Sequence, residues 1–259
     1  MRNIPTKLLS VPVLISLGNS SGSGALYATD KHVYLITARH VLYDELQNIR
    51  VDSIEIVCQS TDIKNDSTSR FRLDLNLLTS KFHRVADVCI VRIADITAVS
   101  PTTKSKYLPG VEILEKASSN IGISKRKDIL LIDEILIPND IYIFGYPTSI
   151  GLRRSPQFDY NKPLIRKGII SNIYKETKTI VLDAAVYNGN SGGPIVQVKI
   201  GQDGKREFNL IGIVSEYIPY VKTWKNQRNH LENIVEHINS GYSVASSMDN
   251  VFELIQTCE

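Results

Sequence analysis

From Val11 to about Val198 the chain is a series of short apolar runs rich in Val, Ile and Tyr, separated by clusters of Gly, Asn and Asp. The runs at 11–17, 24–28, 32–37, 53–58, 87–93, 129–137, 141–145, 165–173, 179–185, 194–199 and 208–217 have the length and β-branched character of strands. Helical stretches do not alternate with them, so the pattern predicts an all-β sandwich or barrel rather than a parallel sheet. Two segments break the series. Residues 97–110 carry Pro101, Pro109 and Gly110 among small polar residues and read as a linker between lobes. Residues 151–163 read as an exposed loop. Leu231, Ile234, Val235 and Ile238 recur at helical spacing behind Asn229 and Glu232, which predicts a short inserted helix. Val251, Phe252, Leu254 and Ile255 follow the cap-like Ser247-Met248-Asp249-Asn250 and predict a terminal helix over 249–257. No internal repeat is present.

Composition narrows the reading. At 259 residues, with 42% apolar and 22% charged side chains, the chain buries an ordinary core and suits one large domain of two lobes. The expected division is a first barrel over about 8–96, the linker, a second barrel over about 111–248, and the helix. A net charge of +3 and no basic stripe with interleaved aromatics argue against nucleic acid. Lys125-Arg126-Lys127 and Arg153-Arg154 are short runs of solvated charge. No HExxH spacing occurs, and no metal or cofactor is expected. No apolar stretch approaches the about 18 residues that span a bilayer. Arg2 and Lys7 before Leu8–Ile15 imitate a secretory leader, but Pro12 interrupts that run and no cleavage site follows. Three cysteines, Cys58, Cys89 and Cys258, leave an odd one unpaired, and a cytoplasmic setting is expected.

The chemistry concentrates at Asn188-Gly189-Asn190-Ser191-Gly192-Gly193-Pro194. Glycines on both sides of a serine permit a sharp turn that exposes the hydroxyl and gathers backbone N–H groups into one pocket. A nucleophilic serine also needs a base, and His40 ends the apolar run Tyr34–Ala38. Asp87, at the start of Val88-Cys89-Ile90-Val91, is the acid suited to hold the imidazole tautomer. His32, His83, His230 and His237 read as structural.

These segments together resemble the trypsin-like serine peptidases, most closely the HtrA/DegP-type branch. The resemblance rests on Ser21-Gly22-Ser23-Gly24, Thr37-Ala38-Arg39-His40-Val41, Asp87–Val91, Phe144-Gly145-Tyr146-Pro147, Asp183-Ala184-Ala185 with Gly189–Pro194, Gly212–Ser215 and Gly241–Ala245. It implies two six-stranded antiparallel β-barrels with a cleft between them, and His40, Asp87 and Ser191 as a triad. It also implies an oxyanion hole built from the N–H groups of Gly189 and Ser191, and substrate contacts at Ala185, Asn188, Ser215, Glu216 and Tyr217.

The sequence departs from that family in places. Residue 190 is Asn where digestive proteases carry Asp, which removes the electrostatic reason for activation by N-terminal trimming. No PDZ module is expected after the terminal helix. Ala185, six residues before Ser191, favours a small or apolar P1 side chain. The insertion 219–239 is expected to rim the cleft. The function expected is a serine endopeptidase acting on protein or peptide substrates, narrow in specificity and regulated by a partner protein or by loop ordering. The alternative is a protease-fold module that binds peptides and cuts them little or not at all.

Overall fold

A computed structural model describes residues 4–62, 67–99, 102–148, 157–201, 203–225 and 233–259. The first lobe is one sheet of ten strands. They are β1 (Pro12–Leu17), β2 (Ser20–Ala28), β3 (His32–Thr37), β4 (Ser53–Gln59), β5 (Thr68–Asp74), β6 (Ser80–Phe82), β7 (Cys89–Val99), β8 (Thr102–Tyr107), β9 (Val111–Glu115) and β10 (Ser124–Lys125). Their main order is β6-β7-β3-β2-β1-β4-β5-β9, with β8 on β7 and β10 parallel to β2. Alternate side chains of six strands, among them Ile15, Leu26, Leu35, Ile56, Phe71 and Val91, meet in a single core. The sheet therefore wraps around on itself, as the period-2 pattern of its strands requires. One helical turn, α1 (Arg39–Leu42), follows β3.

The second lobe is a closed barrel of β11 (Asp140–Gly145), β12 (Leu164–Tyr174), β13 (Thr179–Asp183), β14 (Pro194–Ile200), β15 (Arg206–Lys225) and β16 (Asn233–Ser247). Around the barrel they run β11-β12-β13-β16-β15-β14, all antiparallel. The closing helix α2 (Met248–Gln256) is capped by Ser247, whose Oγ accepts from Asp249 N–H at 3.1 Å. Met248, Val251, Leu254 and Ile255 lie on one face of α2 and pack with Tyr34, Ile36, Ile90, Leu210 and Ile213, so the helix joins the lobes. This explains why Val33–Ile36 is apolar without interruption: Val33 and Leu35 face the first core while Tyr34 and Ile36 face the helix.

Three expectations are corrected. The segment 97–110 is not a linker: β8 pairs with β7 and β9 pairs with β5, so both strands belong to the first sheet. Residues 129–137 form no strand. They make 3-10 turns that drop Leu130, Ile132 and Ile135 into the second core, ahead of a cis Ile137–Pro138 bond. The inserted helix is replaced by a ribbon, because residues 233–239 pair with 219–225 across β15 and β16. The β-branched residues of that segment suit a pleated pair better than a helix, and its Leu231 lies outside the described residues. Of the exposed loop 151–163, only 157–163 is described, and it carries no strand or helix.

Tyr34 supplies a test of the core. Its side chain is fully buried, and its hydroxyl has no hydrogen-bond partner among the described residues. Burial pushes the phenol up to about 12. An unpaired buried hydroxyl costs about 1 kcal/mol or more. Tyr34→Phe is expected to raise the urea midpoint by an amount worth about 1 kcal/mol. A lowered midpoint would show that the hydroxyl is satisfied in solution.

Candidate active site

His40 sits in the single turn α1, placed there by β3 and half-exposed, with 50% of its side chain accessible. Asp87 lies in a bend just before β7, not within the strand. Its Oδ2 is 2.8 Å from His40 Nδ1, and its Oδ1 accepts the His40 backbone N–H at 3.0 Å. The two contacts fix the imidazole as the tautomer with a proton on Nδ1, which leaves Nε2 as the free acceptor. Burial pushes the Asp87 carboxyl up, but the hydrogen bonds and charge of His40, with Arg39 beyond, outweigh it and hold the group below its ordinary value of 3.8. The group is therefore ionised at neutral pH.

The bend that carries Asp87 is itself held from several sides. Arg39 Nη1 donates to the carbonyls of His83 and Arg84, both at 3.1 Å. His83 Nδ1 accepts from the N–H groups of Val85 and Ala86, so its Nε2 carries the proton donated to Glu253 on α2 at 3.0 Å. His83 is thus structural, as the sequence reading had it. It braces the bend that carries Asp87.

Ser191 is half-buried on the turn between β13 and β14. The preceding residues make a tight turn: Asn190 N–H donates to Tyr187 O at 2.9 Å, and Gly189 has φ 92°. A positive φ at the third position defines a type II turn, which reverses the central peptide relative to type I. That peptide's carbonyl, Asn188 O, accepts from Thr148 N–H at 2.9 Å. In a trans peptide C=O and N–H point to opposite sides, so the Gly189 N–H faces away from Thr148. Neither Gly189 N–H nor Ser191 N–H donates to a partner among the described residues.

The turn that carries Ser191 is docked on the first lobe by Ser23, to which motif reading gave no role of its own. Ser23 N–H donates to Ser191 O at 2.9 Å, and Ser23 Oγ donates to Gly189 O at 2.6 Å. The same Oγ accepts from Tyr146 N–H at 2.9 Å. Gly192 has φ 81°, and a Cβ there would lie 2.1 Å from Ser23 O. The backbones of the two lobes therefore meet where no side chain fits. Among the described residues Ser191 Oγ makes no hydrogen bond, to His40 Nε2 or to any other group. Asn190 is buried, with its Oδ1 unpartnered among the described residues.

The residues expected to bind substrate separate. Ala185 is half-buried beside the turn, and Asn188 is exposed on it. Ser215 is buried, its Oγ 3.1 Å from Ser246 Oγ, and Glu216 is exposed. Tyr217 leans into the core of the second barrel. On the edge of β15 nearest Ser191, Val214 exchanges hydrogen bonds with Gly192 and Gly193 at 2.7 and 2.9 Å.

Solved structures share this architecture. A mutant of human heparin binding protein aligns with a TM-score of 0.55 at 11% identity, covering 98% of this chain and 93% of its own. The HtrA-type protease AlgW with tripeptide aligns at 0.54 and 16%, covering 97% of this chain and 62% of its own. Deg5 aligns at 0.52 and 13%, covering 95% and 88%. No curated protein matches the chain in sequence. The trypsin-like peptidase domain profile, however, matches residues 22–202, which hold His40, Asp87 and Ser191. With a match over most of its length, the chain belongs to the trypsin-like peptidase domain family.

Proposed function

We propose that the chain is a serine endopeptidase in which Ser191 is the nucleophile, His40 the general base and Asp87 the residue that orients it. The observation that carries this reading is the His40–Asp87 pair in one site with two uncommitted N–H donors beside Ser191. Ser191 Oγ attacks the peptide carbonyl carbon while His40 Nε2 takes its proton. The C–O bond forms, and the oxyanion is received by the N–H groups of Gly189 and Ser191. Collapse breaks the C–N bond, and the proton passes from His40 to the departing amine. Water then attacks the acyl-enzyme, gives its proton to His40, and releases the acid as the Ser191 hydroxyl is restored.

Ala185 beside the turn favours a small or apolar P1 side chain, and Ser215–Tyr217 pairs with the residues preceding the scissile bond. Regulation fits the same geometry. The N–H groups of Gly189 and Ser191 are uncommitted, and among the described residues Ser191 Oγ makes no hydrogen bond to His40 and Asn190 Oδ1 has no donor, which supports a site still to be completed. A partner protein, or ordering of a neighbouring loop, completes the site in a cytoplasmic setting.

The test is labelling of the purified protein by a fluorophosphonate, which reacts with an activated serine. Wild type is expected to label, and Ser191→Ala and His40→Ala are expected not to. A folded wild type that stays unlabelled, alone and with added cell extract, would favour the peptide-binding module instead.

A further inference from the structure

We propose that the ribbon formed by the ends of β15 and β16 extends the substrate site, pairing with a long β-strand of substrate on the N-terminal side of the scissile bond. This rests on the protease reading above. β15 is twenty residues long, yet β14 pairs with it only as far as Ile213. Beyond that point β16 covers one side of β15, and among the described residues no strand pairs with the other side. That open side is the one on which Val214 meets Gly192 and Gly193, so it leads directly away from Ser191.

The direction of the backbone groups follows from the strand period. Ile218 O accepts from Ser240 Oγ at 2.5 Å, so residue 218 turns its carbonyl toward β16. Beyond the bulge at residue 218 the register runs unbroken to Lys225, so Pro219, Val221 and Thr223 turn their polar groups to one edge, the open one. Pro219 agrees with this, since proline within a sheet sits where its missing N–H would face away from a partner strand. Val221 and Thr223 each offer one N–H and one C=O. From Tyr217 to Trp224 the edge runs about 23 Å, at about 3.3 Å per residue.

The side chains flanking this edge indicate what it holds. Tyr220 and Trp224 lie on one face, 59% and 50% exposed, and Val221 and Val235 lie on the other, both 51% exposed. Lys222 Nζ stands 3.8 Å over the Trp224 ring, and Trp224 Nε1–H donates to Glu236 Oε2 at 3.1 Å, which together fix the indole across the ribbon. An exposed apolar edge is a hazard for aggregation unless a strand pairs with it. A substrate strand lying antiparallel to Ser215–Tyr217 continues along this edge as its residues run back from the scissile bond. The substrate class is therefore a protein segment extended for about eight residues before the cut, with β-branched or aromatic side chains on both faces.

The probes are two peptidyl p-nitroanilides with valine at P1, one with two further residues and one with eight further Thr/Val residues. The long peptide is expected to show kcat/KM at least tenfold higher. Val221→Pro removes an N–H on the open edge and leaves the β16 pairing intact, so it should bring the long peptide down to the short one without changing the short. N-methylation of the long peptide at P7 should have the same effect on unaltered enzyme, which covers the case of a Val221→Pro variant that does not fold. Equal kcat/KM for both peptides, with fluorophosphonate labelling retained, overturns the extended site and leaves the protease reading standing. If neither peptide is cut, anisotropy of the fluorescein-labelled peptides on Ser191→Ala decides: tighter binding of the long one sustains the site, and equal binding overturns it. A dimer that Val221→Pro dissociates, with equal kcat/KM for the two peptides, assigns the edge to a second copy of the chain and overturns the proposal.

Discussion

Asp87→Asn is expected to lower kcat by roughly four orders of magnitude while leaving KM within a few-fold of wild type. Both carboxylate oxygens are committed, one to the His40 Nδ1–H at 2.8 Å and one to the His40 backbone N–H at 3.0 Å. An asparagine of the same shape keeps an oxygen for only one of them. If that oxygen stays on the backbone, the amide N–H₂ meets Nδ1 and drives the proton to Nε2, where it blocks the lone pair that must receive the Ser191 proton. The loss is one of protonation, not of architecture, because Arg39 and His83 hold the bend independently of the carboxylate.

The same substitution has a pH signature. A carboxyl held below its ordinary value in the folded state stabilises the fold at pH above that value, and the contribution disappears as pH falls through the folded-state value. Asp87 is such a group, shifted down from 3.8. Wild type should therefore exceed Asp87→Asn in stability at neutral pH, and the gap should close below about pH 4. Urea midpoints of both proteins across pH 3–7 measure this, with kcat measured on the same preparations. A kcat within tenfold of wild type would remove Asp87 from the proposed mechanism.

The parts of the molecule legible in the sequence are those written in neighbouring residues. The glycines around Ser191 and the alternation along most strands are local, and the barrel of the second lobe follows from them. Where one string satisfied two periods the reading failed. Ile234, Val235 and Ile238 fit one helical face, yet residues 234, 236 and 238 also share one side of a strand, and pairing with 219–225 decides between them. The prolines of 97–110 suggested a linker, but residues 102–107 pair with β7 and residues 111–115 with β5. Residues 129–137 carry strand-like apolar spacing that the fold uses to fill a core from irregular turns.

Ser23 was illegible for a different reason. Its partners Tyr146, Gly189 and Ser191 lie 123, 166 and 168 positions away, and only the docked lobes bring them together. In sequence it is simply a small residue in Ser21-Gly22-Ser23-Gly24. Tyr217 illustrates the opposite limit: its position on β15 was foreseen, but its side chain turned to the barrel core instead of the pocket mouth. Position along a strand follows from pattern, whereas the choice of face near a bulge depends on register, and β15 has bulges on both sides of residue 217.

Gly189→Ala is expected to reduce kcat by about two to three orders of magnitude, the effect of losing one oxyanion donor. Two separate restrictions act at this position. Its φ of 92° is a conformation that a Cβ disfavours by about 1 kcal/mol or more. In addition, a Cβ there would lie 2.3 Å from Tyr146 O and 2.9 Å from Thr148 N, both backbone atoms that cannot swing away. Relief requires the Asn188–Gly189 peptide to rotate, which breaks the Thr148 N–H to Asn188 O bond and turns the Gly189 N–H out of the pocket. Gly18→Ala separates the two restrictions. Gly18 also has a positive φ, 63°, but no heavy atom lies within 4 Å of its Cβ position. That variant should lose about 1 kcal/mol of stability with kcat unchanged. If Gly189→Ala instead keeps kcat within a few-fold of wild type, the oxyanion is not received at this N–H. If both variants lose activity in proportion to stability, strain alone explains the result. The expected split is stability lost in both and turnover lost only at Gly189, with the His40 Nδ1–H proton resonance unchanged to show that the base is still held.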